Sequence, residues 1–105
     1  MSVFLEVMQE ELRRAKSHVE AFRSLLDSLP KGYVSILMVS GKRFAYRKWR
    51  EGSHIKSHYL GLEGSSEEQA ARKNYAERKR ILANLKEAEK EEKRLEKALK
   101  NYEKE

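Results

Sequence analysis

The single proline and all five glycines of this 105-residue chain fall between Pro30 and Gly64. Proline breaks a helix interior and glycine weakens one, so residues 1–29 and 65–105 are free to form two long uninterrupted helices. The interrupted middle must fold as something short and rich in turns.

In the first flank Leu5, Met8, Leu12, Ala15, Val19, Phe22, Leu26 and Leu29 recur at alternating steps of three and four. This heptad spacing puts one narrow apolar stripe on a helix over 2–29, facing a partner helix. Ser2 suits the N-cap, and Pro30 with Gly32 ends the helix. The second flank opens with two overlapping capping boxes, Ser65-x-x-Glu68 and Ser66-x-x-Gln69, which predict a helix over 66–104. Its stripe runs through Ile81, Leu85, Ala88, Glu92, Leu95, Leu99 and Tyr102, and meets only Ala71, Asn74 and Arg78 ahead of Ile81. At ~1.5 Å per residue the two helices reach roughly 40 and 58 Å. The longer one then outruns its partner, leaving Leu95, Leu99 and Tyr102 as an uncovered oligomer interface, and a homodimer is expected.

Between the helices, alternation and turn residues predict strands over 33–39, 43–49 and 54–60, with turns at Gly41-Lys42 and Glu51-Gly52. Short connections make neighbouring strands antiparallel, so the three form a β-meander over 33–60. The expected whole is a single α+β domain over 1–105. It is an antiparallel, coiled-coil-like helical hairpin with a three-stranded antiparallel sheet between its helices.

A turn at Glu51-Gly52 pairs Trp49 with His54, Arg47 with Lys56 and Phe44 with Tyr59. Side-chain alternation then gathers Phe44, Tyr46, Ile55 and Tyr59 on one face. Arg43, Arg47, Trp49, His54, Lys56 and His58 fall on the other. The first strand has two facings, because two- and three-residue loops turn Val34, Ile36 and Met38 to opposite sides. Joining them to Phe44 and Tyr46 is preferred, since that makes a single apolar face for the helices to cover.

The chain has no cysteine, hence no disulfide, thiol nucleophile or thiolate metal site, which fits a reducing, cytoplasmic location. No apolar run is long enough to cross a bilayer and no secretory pattern is present, so no membrane partner is expected. Its three histidines are His18 in the first helix and His54 and His58 on the third strand. Carboxylates are plentiful but lie in helical charge runs, the pattern of a solvated face. No nucleophile with an oriented base emerges, so neither an enzyme nor a catalytic residue is expected. On a strand His54 and His58 stand ~13 Å apart with no third ligand beside them, which argues against a metal. No cofactor or small-molecule substrate is expected.

Charge is unevenly placed. Residues 30–64 carry seven Lys and Arg against two Glu, and residues 69–86 carry six against Glu77 alone. Cations interleaved with aromatics on a sheet suit phosphate neutralisation and base stacking. The candidate nucleic-acid contacts are Arg43, Arg47, Trp49, His54, Lys56 and His58 on the sheet, and Arg72, Lys73, Arg78 and Lys79 on the helix. A plainer reading is that a highly charged chain spreads cations for solubility.

The segments Leu29-Pro30-Lys31-Gly32, Gly41-Lys42-Arg43-Phe44-Ala45-Tyr46, Arg50-Glu51-Gly52 and Lys56-Ser57-His58-Tyr59-Leu60-Gly61 resemble a small uncharacterised prokaryotic domain family. Its members run as leader helix, short strand meander and long charged helix. The same segments resemble strands near the N-termini of some transposases and, loosely, the arm-binding sheets of tyrosine recombinases. The resemblance covers about a third of the chain. It implies DNA contacts on the sheet at Arg43, Arg47, Trp49 and Lys56; the sequence lacks the catalytic domain of either enzyme class, so at most a binding role transfers.

The expected function is therefore a nucleic-acid-binding accessory module, DNA being favoured over RNA. The rival expectation is a protein-interaction or oligomerisation module built on the helical seam, with no nucleic-acid role.

Overall fold

The computed structural model describes residues 3–104, so the proposed N-cap Ser2 lies outside the described residues. The order is α1 (Val3–Ser28), β1 (Tyr33–Val39), β2 (Lys42–Glu51), β3 (His54–Leu62) and α2 (Ser66–Glu103). The strands form one antiparallel sheet in the order β1-β2-β3. This is the expected α+β layout, with the sheet between two helices in sequence. Among the described residues no helix is long and apolar enough to cross a membrane.

Two compact units divide the chain. One joins the segment ending at Asp27 to that beginning at Arg80; the other is Ser28–Lys79, so α2 contributes to both. In the helical unit Met8, Ala15 and Val19 of α1 are buried, as are Ile81 and Leu85 of α2. Leu5, Leu12, Phe22 and Leu26 are half-buried and every other described α1 residue is exposed, so the stripe holds along the helix.

The end of α2 departs from expectation. Leu95, Leu99 and Tyr102 are half-buried rather than exposed. The ring of Tyr102 lies 5.3 Å from that of Phe4, and Lys16 Nζ reaches Glu96 Oε1 at 3.8 Å. The last turns of α2 therefore have a partner within the chain, at the start of α1. The extra length of α2 lies instead in its first turns, which belong to the sheet-bearing unit.

Both hairpins turn one residue later or earlier than the sequence suggests. The β1–β2 loop is Ser40-Gly41, with φ of 51° and 78°. Two positive φ values are what a two-residue type I′ turn requires. It sets Val34 opposite Arg47, Ile36 opposite Ala45 and Met38 opposite Arg43. The β2–β3 loop is Gly52-Ser53, which sets Trp49 opposite Lys56, Arg47 opposite His58 and Tyr46 opposite Tyr59. The expected pairing was thus displaced by two residues on β3. An even displacement leaves each side chain on its face.

The ladder shifts between Ala45 and Tyr46, where Leu60 is the extra residue of a bulge. Leu60 turns inward there and is buried with Ala45 and Ala71, flanked by Val34 and Ile36. Facing is thereby reversed from the sequence expectation. The helix-covered face carries Val34, Ile36, Ala45 and Leu60, not Phe44 and Tyr46. Ala45 is fully buried and faces Gly61 across the ladder. Two small residues side by side let α2 approach closely through Ala71, which Phe44 or Tyr59 would prevent.

The entry to α2 is closely bonded. Ser65 Oγ accepts from the Glu68 amide at 3.2 Å and donates to the Leu60 carbonyl oxygen at 3.0 Å. Glu68, buried, accepts from the Gly64 amide at 3.3 Å and from Arg72 Nε at 3.3 Å. The first capping box therefore forms, with Glu68 reaching one residue further back than the usual pattern. The second does not: Gln69 Nε2 donates to the Gly64 carbonyl oxygen instead.

Candidate nucleic-acid interface

The helix-covered face holds the six sheet residues expected to contact nucleic acid, and the structure commits half of them to holding the unit together. Arg43 Nε sits 3.0 Å from both carboxylate oxygens of Glu63. Arg47 donates through Nη1 to the Lys31 carbonyl oxygen at 2.7 Å. Its guanidinium carbon also lies 4.1 Å from the centre of the Trp49 ring, a cation–π contact that half-buries both. Beneath them runs the linker from α1. A Cβ added at Gly32 would stand 2.3 Å from the Lys48 carbonyl oxygen and 3.2 Å from Trp49 Cβ.

His54, Lys56 and His58 remain exposed along β3. Among the described residues, no group of three or more His, Cys, Asp or Glu could hold a metal ion.

On α2 the expected contacts divide the same way. Arg72 pairs with buried Glu68, and half-buried Arg78 donates through Nη1 to the Leu29 carbonyl oxygen at 3.1 Å. These two fasten the helix to its N-terminal turn and to the linker. Lys73 and Lys79 are exposed; Lys79 Nζ lies 5.8 Å from the centre of the Tyr75 ring. Further along α2, outside this unit, the exposed Glu91 carboxyl is held below its usual range by the hydrogen bond from Arg94. That is an ordinary surface pair.

The opposite face of the sheet was not read as a site from sequence. Along β2 it presents Lys42, Phe44, Tyr46, Lys48 and Arg50 in succession, two residues apart. Tyr33, Ser35, Leu37 and Val39 flank them on β1, and Ile55, Ser57, Tyr59 and Leu62 on β3. The rings of Tyr46 and Phe44 lie 5.4 and 6.3 Å from that of Tyr59. Tyr59, Leu37 and Ile55 are 52%, 52% and 61% exposed.

This face contains no Asp or Glu. None of Lys42, Lys48 and Arg50 forms an ion pair with a described residue. It joins a three-ring cluster to a line of three cations. The missed signal was the small pair Ala45 and Gly61. Within a strand otherwise built of large side chains, small residues mark the side that a helix approaches, and so mark the aromatic side as open.

Comparison with protein families, with curated proteins and with solved structures finds no match for this chain.

Proposed function

We propose that this protein is a non-enzymatic nucleic-acid-binding accessory module whose contacts lie on the sheet-bearing unit. The observation that carries this reading is where the net charge resides. Ser28–Lys79 holds eleven Lys and Arg against five Glu, while the rest of the chain holds twelve against twelve. The whole excess of six positive charges therefore belongs to the unit that carries the sheet. Cations spread for solubility alone would have no reason to leave the helical unit neutral.

Several of these cations are engaged in packing, namely Arg43, Arg47, Arg72 and Arg78. Lys42, Arg50, Lys56 and Lys73 are exposed, and Lys48 is half-buried on the open face. Phosphate oxygens are the complementary ligand, and releasing condensed counterions supplies the binding free energy.

The test is a salt titration of binding to random-sequence single strands and duplexes of DNA and RNA. If the three cations of the open face, Lys42, Lys48 and Arg50, engage a single strand, log affinity against log salt should fall with a slope of about −2.1, at ~0.7 per contact. Absence of binding to every one of these at low salt would refute the reading.

A further inference from the structure

The open face of the sheet differs from a general polyanion site. A surface built only to neutralise phosphates needs cations, and exposing aromatic and aliphatic side chains among them has no electrostatic use. Here the two are ordered along one strand: Lys42, then Phe44 and Tyr46, then Lys48 and Arg50, with Tyr59 opposite Tyr46. At ~3.4 Å per residue that line is roughly 27 Å long, enough for several nucleotides.

We infer that this face binds single-stranded nucleic acid, its bases stacking on Phe44, Tyr46 and Tyr59 and its phosphates meeting Lys42, Lys48 and Arg50. The inference rests on the nucleic-acid reading above and narrows it. Bases within a duplex have their faces stacked on the neighbouring base pairs, so rings on a flat sheet cannot stack on them. Unpaired bases offer their faces, and every base has one, which makes such recognition tolerant of sequence.

The composition of the face argues against other occupants. A second copy docked face to face would set three cations of each protomer against three of the other, with no carboxylate between them. A neutral apolar peptide would cover Leu37 and Ile55 but would strip water from Lys48 and Arg50 without pairing them. An anionic chain with unpaired aromatic bases meets both halves of the surface at once.

The experiment is fluorescence anisotropy of labelled 20-nucleotide single strands (oligo-dT and oligo-U) and of a 20-base-pair DNA duplex. The proteins are the full chain, Tyr46→Ala, Tyr59→Ala and Tyr46→Phe. The full chain should bind single strands at least tenfold more tightly than duplex. Each alanine variant should lose roughly 5- to 150-fold in single-strand affinity while the salt slope stays unchanged. Tyr46→Phe, which keeps the ring, should bind as the parent does. Far-ultraviolet circular dichroism and thermal melting confirm that each variant is folded.

Equal affinity for duplex and single strand, or alanine variants that are folded and bind as the parent does, would overturn stacking and leave nucleic-acid binding in place. Failure to bind any oligonucleotide would overturn both. Dimerisation of the full chain, abolished by Tyr59→Ala in sedimentation, would reassign the face to a second copy.

Discussion

Arg47 reaches across to the carbonyl oxygen of Lys31 and donates to it at 2.7 Å. A residue that looked from its neighbours like a phosphate contact thereby ties the linker after α1 to the central strand. With Trp49 beneath the same guanidinium, removing Arg47 breaks a hydrogen bond and a ring contact together. Arg47→Gln should lower unfolding free energy in urea by about 1–2 kcal/mol. Exposed Lys56→Gln should stay within about 0.5 kcal/mol of the parent. Equal stability of the two variants would show that Arg47 does not hold the linker.

Gly32 provides a second check on that linker. Its φ is +113° and an added Cβ would stand 2.3 Å from a backbone oxygen that cannot move without shifting β2. Gly32→Ala should cost at least about 2 kcal/mol. Gly52 has φ of +61° and nothing within 4 Å of its built Cβ. Gly52→Ala should therefore cost only the backbone strain, about 1–2 kcal/mol. Thermal melts of the two variants distinguish a packed glycine from one needed only for its turn.

The facing of the sheet is testable by stability alone. Ala45 is fully buried where α2 meets the sheet, so Ala45→Leu should overpack the unit and cost about 1–3 kcal/mol. Tyr59→Ala on the opposite face should cost no more than about 1 kcal/mol, the worth of its cross-strand contacts. The reverse order of costs would place the helix on the aromatic side.

Electrostatic contacts should be read separately from stacking. Lys48→Gln combined with Arg50→Gln should reduce the slope of log single-strand affinity against log salt by about 1.4, two contacts at ~0.7 each. Folding should be unchanged, since neither side chain has an ionic partner among the described residues. An unaltered slope would remove these two from the phosphate contacts.

The packing of Tyr102 on Phe4 at 5.3 Å bears on assembly. The expectation of a homodimer rested on an uncovered end of α2, and that end is half-buried within the chain. The full chain should therefore sediment as a monomer at tens of micromolar. Deleting residues 1–8 removes the Phe4 ring and the buried Met8, and should promote self-association through Leu95, Leu99 and Tyr102.

What the sequence determined by itself was local and periodic. Confinement of Gly and Pro to 30–64 and the three-four spacing from Leu5 to Leu29 settled the element order, because helix formation and its buried stripe depend on residue spacing alone. The division of β2 and β3 side chains between two faces was likewise legible, since alternation survives a two-residue error in pairing. Which face the helix covers depended on packing across the fold. Both faces of β1 are apolar, Val34 and Ile36 on one and Leu37 and Val39 on the other, so hydrophobicity could not choose between them. The choice followed from close approach. Ala45, Gly61 and Ala71 are small enough for a helix to lie against the sheet, and the bulge at Leu60 turns one more side chain under it. That packing draws Arg47 and Arg78 into fastening the linker through main-chain oxygens far away in sequence, a use no local pattern records. It also leaves the aromatic face outward.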